Sequence, residues 1–372
     1  MKVLYLATGV FDKGGISRYS RYQIEGLRAS AGVEQVFVMS LHPPSGDVFE
    51  EDIEVQEAYN GISVSSKMRF ALDALRIACR LRPNVVWANH VGLSSVALVA
   101  ATSVGATSVT NIYGREMWSG LRGLKLWALR HCDRIVSDCQ FTANWTIKHL
   151  GLRGERIRVI RDCVDTRKFT PGPVEPSIAR KYGVPLTPGR LRLMTVGRLE
   201  DVQMHKGYHR IIRLLAQAGG KVDADYIIGG DGPALPDLRR LARSLGTAER
   251  VHFTGSITEQ DLAAVYRLAD VFVLISDRGP GRGEGIPLTP LEAAACGRPL
   301  LVGNEDGSQE AVQDGVNGFV LSPYDKELIM DRIVLLSEDP GLRHRMGEAA
   351  RARIEKLHSF EDFARATLSI VT

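Results

Sequence analysis

Cysteine is scarce in this sequence: Cys79, Cys132, Cys139, Cys163 and Cys296 are odd in number and scattered, with no CxxC pair and no His at metal-ligand spacing. That excludes a disulfide-stapled scaffold and a zinc finger, and points to reduced thiols in a cytoplasmic protein. Long apolar runs are missing too. The nearest candidate is Asn84–Gly114, which has no Asp, Glu, Lys or Arg over 31 residues. Within it, VVWANH, GLSSVALVAATSVG and ATSVTNIYG read as strand, helix and strand, each too short to cross a bilayer. The opening MKVLYLATG lacks the charged region and cleavage site of a secretion signal and reads as a buried first strand ending on Gly9. A large excess of one charge is absent: the formal net charge is +4, too small to imply a nucleic-acid partner. Gly9 and Gly14 are five apart, so the GxGxxG of nicotinamide and flavin enzymes is missing. No DxD lies near a strand end, and no metal or other cofactor is expected.

What is present fits a two-domain α/β protein. The chain has 372 residues, against roughly 100–200 per domain. Its 44% hydrophobic and 24% charged content is that of an ordinary globular chain. Apolar strand-like runs alternate with helix-like stretches throughout, the pattern of parallel sheets covered on both faces. The expected strands are KVLYLAT, QVFVMSL, NVVWAN, TSVTNIY, RIVSDC and IRVIRD, then RLMTVGR, DYIIGG, VHFTG, VFVLIS, RPLLVG and GFVL. Five prolines between Pro171 and Pro188 interrupt the pattern and mark a linker over 171–190. The domains are therefore read as 1–170 and 191–357. Asp47–Glu57, with six carboxylates, reads as a solvated loop.

In open parallel sheets ligands bind beyond the carboxyl ends of the strands, so the glycine-bearing loops there come first. Gly14 and Gly15 precede a helix beginning near Ile16; they form either a tight turn or a place where backbone approaches a phosphate or sugar. In VGRLEDVQMHKGYHRII, Arg198 and Lys206 flank glycines before a new helix, where two cations can converge on a diphosphate. Gly230 and Gly232 lie in a third such loop, IIGGDGP. A fourth, RGEGIPLTPLEAAACGRPL, places Glu284 between two glycines, exposed at the mouth of a cleft. Thr289 reads there as a helix N-cap, with Pro290 at the first helical position, Glu292 completing a capping box and Gly297 past the helix end.

These residues carry a resemblance to the retaining glycosyltransferases of the GT-B fold, family 4. Glu284-Gly285-Ile286-Pro287 through Glu292 resembles that family's E-x7-E element. The likeness extends in order through Gly14–Ile16, Tyr113–Trp118, Val159–Asp165, Val196–Gly207, Gly229–Pro233, Phe253–Ile257 and Gly303–Val320, nearly the whole chain. Two positions depart from the common pattern: Asp162-Cys163 stands where many members have Asn-Gly, and Tyr113 where many have His.

The resemblance implies two Rossmann-like domains facing across a cleft, with a C-terminal helix of about 358–372 completing the first. It implies transfer of a sugar from a nucleotide-diphospho-sugar to an acceptor hydroxyl in cell-surface polysaccharide or glycolipid synthesis, by same-face, metal-independent attack. Arg198 and Lys206 would hold the diphosphate, Glu284 the transferred sugar and Glu292 the ribose. Gly14, Gly15, Gly230, Gly232, Gly285, Ile286, Pro287 and Leu288 would line the donor pocket, and main chain at Ile257 would meet the base. His90, Tyr113 and Glu116 would lie on the acceptor side. Two alternatives stay open: a non-catalytic partner subunit, and a GT-B enzyme of another reaction type.

Charge distribution adds a partner. Residues 1–170 carry 22 Lys and Arg against 16 Asp and Glu, and residues 61–170 carry 17 against 7. The acceptor half is thus basic, which suits a saccharide or lipid-linked anionic acceptor and peripheral contact with the inner face of the cytoplasmic membrane. Within it, MWSGLRGLKLWALRHCDR shows no clean amphipathic stripe and reads as a core helix with exposed cations. Nothing in the sequence fixes an oligomeric state.

Overall fold

A computed structural model describes residues 1–12, 14–44, 53–200, 205–279 and 282–372. Of the acidic stretch read as a solvated loop, residues 47–52 lie outside these, as do 201–204 between Arg198 and Lys206. The chain divides into one unit of Met1–Cys163 with Phe360–Thr372, and a second of Val164–Ser359.

Among the described residues the first unit holds seven parallel strands: β1 (Lys2–Ala7), β2 (Gln35–Ser40), β3 (Glu57–Ala58), β4 (Val85–Ala88), β5 (Thr107–Ile112), β6 (Arg134–Ser137) and β7 (Ile157–Val159), in the order β3-β2-β1-β4-β5-β6-β7. The six expected strands are present; β3, two residues long, is an edge the pattern did not mark. β1 is central because both its faces are apolar: Val3, Leu4, Tyr5, Leu6 and Ala7 are all fully buried. Alternate residues go to two separate clusters, Val3 and Tyr5 to one and Leu4 and Leu6 to the other. Helix Gly15–Arg28 covers the first face with helix Phe360–Val371. Gly26 permits their close approach, since a Cβ there would sit 2.9 Å from the Ala364 Cβ.

The second unit repeats the design with β8 (Leu191–Val196), β9 (Ala224–Gly229), β10 (Val251–Phe253), β11 (Val271–Leu274), β12 (Leu300–Gly303) and β13 (Gly318–Leu321), in the order β10-β9-β8-β11-β12-β13. β8 and β9 pair from Leu191↔Ala224 to Val196↔Gly229. The residues read as a linker carry a short helix, Pro176–Lys181, fastened within this unit: the Lys181 ammonium and the Tyr182 hydroxyl both donate to Asp261. In each sheet the chain reverses winding once, between β1 and β4 and between β8 and β11. Such switch points leave a crevice at the strands' carboxyl ends, where ligands bind.

The stretch 117–134 departs from its reading as a core helix. It forms two helices, Gly114–Trp118 and Gly123–His131, because Gly120 between them and Gly123 at the start of the second take positive φ (77° and 59°). The second helix turns Leu124 and Trp127 to solvent.

Candidate active site

At the switch point of the second sheet, β8 runs into Gly197 and Arg198, and β11 into Ser276 and Asp277. Lys206 Nζ lies 2.6 Å from Glu284 Oε1, and His205 Nε2 lies 3.2 Å from the same oxygen. The His205 and Lys206 side chains are 2% and 8% exposed and that of Glu284 22%, so the cluster is shielded from water and its attractions are little screened. Burial alone would raise the Glu284 carboxyl; the Lys206 charge and the His205 hydrogen bond outweigh it and hold the group down to about 2. Glu284 is therefore ionised at neutral pH, a hydrogen-bond acceptor and not a proton donor. The expectation of an exposed Glu284 is corrected: its side chain is largely shielded, and its own unit supplies two partners.

The scaffold around this cluster is tight. The His205 carbonyl accepts from Asp277 N–H at 2.9 Å. Arg210 pairs with Asp277 and donates to the Ile275 carbonyl at 3.0 Å, closing the end of β11. Gly230 (φ 124°) packs against the first loop so closely that a Cβ would fall 2.0 Å from the Gly197 carbonyl oxygen, and Gly232 stands likewise 2.5 Å from that of Leu199. Ile257 abuts the same strand end, its Cδ1 2.9 Å from where a Cβ on Gly229 would be. Arg198 is exposed beside them.

Gly285, Ile286 and Pro287 are buried, and Leu288 opens the helix Leu288–Ala295. The capping box read at Thr289 is corrected. The helix starts two residues earlier, at Leu288, with Pro287 at the cap and no side-chain cap. Glu292 thus lies in the second turn, where its Oε2 accepts from the Tyr266 hydroxyl at 2.7 Å. The other end is as expected, with Gly297 at φ 72° in the left-handed region.

Three residues of this site carried too little sequence signal to be singled out. His205 had only its place beside Lys206. Tyr266 sits in an unremarkable helix. Asp306 begins the turn whose Gly307 N–H donates to the Gly285 carbonyl at 2.6 Å, tying down the Glu284 loop. Its carboxylate is fully buried: Oδ1 accepts from Ser308 N–H at 2.9 Å and from the Ser308 hydroxyl, while Oδ2 has no partner among the described residues. Burial pushes this carboxyl up to about 6 against the Ser308 hydrogen bonds, with the Glu284 charge adding to the rise.

The first unit has its own switch-point cluster. After β1, the Gly14 N–H and the Ser17 hydroxyl both donate to Asp12, each at 2.6 Å, and the buried Arg21 donates to the carbonyls of Val10 and Asp12. Gly14 has φ −65°, so no left-handed turn demands glycine there. Gly15 is the first residue of the helix that follows. After β4 and β5, the His90 and Tyr113 rings stack 6.3 Å apart, and His90 Nε2 lies 3.8 Å from Glu116 Oε1. Glu116 in turn accepts from the Tyr113 N–H at 2.6 Å. Beneath them the Asn111 amide donates to the Tyr113 hydroxyl and to Gln23, and accepts from Trp87 Nε1. The structure thus brings His90, Tyr113 and Glu116 together.

Comparison with known proteins gives consistent likenesses. A sequence model of the glycosyl transferases group 1 matches residues 184–353, and one of Glycosyltransferase Family 4 matches residues 13–168. The GDP-mannose-dependent alpha-(1-6)-phosphatidylinositol monomannoside mannosyltransferase of Mycolicibacterium smegmatis is 36% identical over 250 residues, which is 65% of this chain and 64% of that protein. The D-inositol 3-phosphate glycosyltransferase of Streptomyces bingchenggensis is 27% identical over 246 residues, 64% of this chain and 52% of that protein. The matches thus span about half to two thirds of these curated relatives. Among solved structures, Anabaena Alr3699/HepE in complex with UDP has a TM-score of 0.83 over 100% of this chain and 99% of its own, at 18% identity. That likeness is one of fold.

Proposed function

The chain belongs to the group 1, family 4 glycosyltransferases, and from that premise we propose that it transfers a glycosyl unit from a nucleoside-diphospho-sugar to an acceptor hydroxyl, with retention at the anomeric carbon. The observation that carries the reading is the shielded Lys206–His205–Glu284 cluster at the second switch point. A diphosphate leaving group gains negative charge as the glycosidic bond breaks, and a fixed, desolvated ammonium beside it stabilises that charge with little reorganisation. Glu284 keeps Lys206 in place and offers its other oxygen to sugar hydroxyls. A carboxylate held down to about 2 is a weak base and a weak nucleophile. This favours same-face attack, in which the acceptor's proton passes to the leaving phosphate oxygen, over a covalent glycosyl-enzyme. We take the transfer to need no metal. GDP-mannose is the first donor to try, because a relative 36% identical over 250 residues is named for it. A panel of GDP-, UDP- and ADP-sugars, with products resolved by chromatography with and without a chelator, tests the proposal. No turnover and no saturable nucleotide binding would sink it.

The acceptor is proposed to be lipid-linked and anionic. Support comes from the first unit's surface, where helix Val64–Leu81 exposes Val64, Met68 and Leu72 at four-residue spacing beside exposed Lys67 and Arg69. Helix Gly123–His131 exposes Leu124 and Trp127 among exposed Arg122, Lys125 and Arg130. Both pack on helix Ser94–Val104. Apolar side chains ringed by cations suit the boundary of an anionic bilayer, and no helix among the described residues is long and apolar enough to cross one. Cosedimentation with anionic vesicles, lost when Met68, Leu72, Leu124 and Trp127 are replaced by Ser, is the expected result. Equal recovery with neutral vesicles would remove the idea.

A further inference from the structure

The second unit holds a cavity of about 230 Å3 between helix Tyr208–Gln217 and the connection from β13 to helix Lys326–Glu338. His209 and Arg213, one turn apart, form one wall; Tyr324 and Lys326 form the other, over aliphatic Leu214 and Ile329. Arg210 also borders the cavity, but its guanidinium is engaged by Asp277 and the Ile275 carbonyl. Arg213 and Lys326 differ from it: among the described residues no carboxylate pairs with either. His209 Nδ1 is buried without a hydrogen-bond partner. Burial, with Arg210 and Arg213 adding to it, holds this imidazole down to about 4. It is therefore neutral at pH 7 and adds no third charge to the cavity wall.

Two uncommitted cations and a neutral imidazole around an aliphatic floor, with a Tyr ring 64% exposed at the rim, match a phosphate dianion carried on a sugar ring. Size narrows the ligand. The cavity, about 230 Å3, falls below the roughly 300–1,000 Å3 of ordinary small-molecule sites, too small for a nucleoside-diphospho-sugar. We propose that this cavity is a second ligand site, separate from the Lys206–Glu284 cluster, that binds a monosaccharide phosphate.

Titration calorimetry of the full chain with glucose 6-phosphate, inorganic phosphate and glucose tests this. Glucose 6-phosphate should bind most tightly, phosphate more weakly, and glucose not measurably; saturating GDP should not displace the sugar phosphate. A double Arg213→Ala/Lys326→Ala variant should lose roughly tenfold or more in affinity for both anions, with an unchanged melting temperature because both side chains are exposed. Tyr324→Ala should weaken glucose 6-phosphate and leave phosphate as it was. Absence of saturable binding at millimolar concentration, or binding that the double variant retains, overturns the site. Equal affinities for glucose 6-phosphate and phosphate overturn its assignment to a sugar phosphate.

Discussion

The two switch points are built from different materials. In the second unit the cluster is ionic: Lys206 and His205 on Glu284, with Arg210 on Asp277 beside it. In the first, the part after β4 and β5 is mainly aromatic and amide, with His90 stacked on Tyr113 over the Asn111, Gln23 and Trp87 network and the Glu116 carboxylate at its edge. On the proposed function, the difference fits what each cluster would meet. A diphosphate brings charge, and a desolvated charge must find another held in place. A sugar or headgroup hydroxyl brings none, and neutral donors and acceptors suffice. The second cluster should therefore respond to charge removal and pH, and the Asn111–Tyr113 network of the first to lost hydrogen bonds.

The largest effect is expected at Lys206. Lys206→Ala removes the cation and leaves Glu284 with His205 alone, so turnover should fall on the order of a hundred- to a thousandfold. Glu284→Ala should lose a similar amount, because it frees Lys206 from its position. Steady-state kinetics on the donor found by the nucleotide-sugar panel, with circular dichroism as the fold control, decide it. Turnover within about threefold of the parent would mean that this ionic cluster is structural.

Asn111→Ala tests the other side. It leaves the buried Trp87 Nε1 without its partner, at a cost of about 1–3 kcal/mol, and removes one of two hydrogen bonds to Gln23 Oε1, which keeps the Tyr5 hydroxyl, at a cost of about 0.5–1.5 kcal/mol. Chemical denaturation should show a loss of about 2–4 kcal/mol that does not change between neutral and mildly acid pH. A pH-dependent loss would bring charge into this network of neutral groups.

Asp306→Asn probes the ionic unit through stability. A buried carboxyl raised from 3.8 to about 6 holds its proton more tightly in the folded chain. Its contribution is fully present below 3.8 and is lost as pH rises toward 6. Glu284, lowered from 4.5 to about 2, runs the opposite way: its contribution is present above 4.5 and is lost as pH falls toward 2. Replacing Asp306 removes the first term only. The variant should therefore gain melting temperature relative to the parent on going from about pH 4 to about pH 7, by an amount that reflects up to about 3 kcal/mol. A difference that stays flat across this window would mean that Asp306 does not titrate there.

Much of this was legible in the sequence. The strands were, because parallel strands buried on both faces are continuous apolar runs, and twelve of them stood out between glycine and proline breaks. Only Glu57–Ala58 escaped, since both its residues are exposed. Lys206, Glu284 and the glycines at 230 and 232 were legible as cations, carboxylates and turn residues at strand ends. Their pairing was not, because a contact 78 residues apart in the chain leaves no local trace. Asp306 was invisible for the same reason: nothing in NEDGS says that one carboxylate is fully buried. The Thr289 cap failed on a different ground, because its pattern is satisfied by composition, whereas the helix start is set by tertiary packing of the loop before it.

The smallest effect should come from Tyr113→Phe, and it tests the contrast most sharply. The hydroxyl accepts one hydrogen bond, from the Asn111 amide at 3.2 Å, while the ring's edge-on contact with Tyr19 at 5.7 Å and its stack with His90 survive the change. The expected loss is about 0.5–1.5 kcal/mol, insensitive to salt because no ion pair is involved. Hydrolysis of the donor without acceptor should be unchanged, since Tyr113 belongs to the neutral cluster. Should that hydrolysis fall along with stability, Tyr113 would be acting on the donor's chemistry, and the division of labour between the two clusters would have to be abandoned.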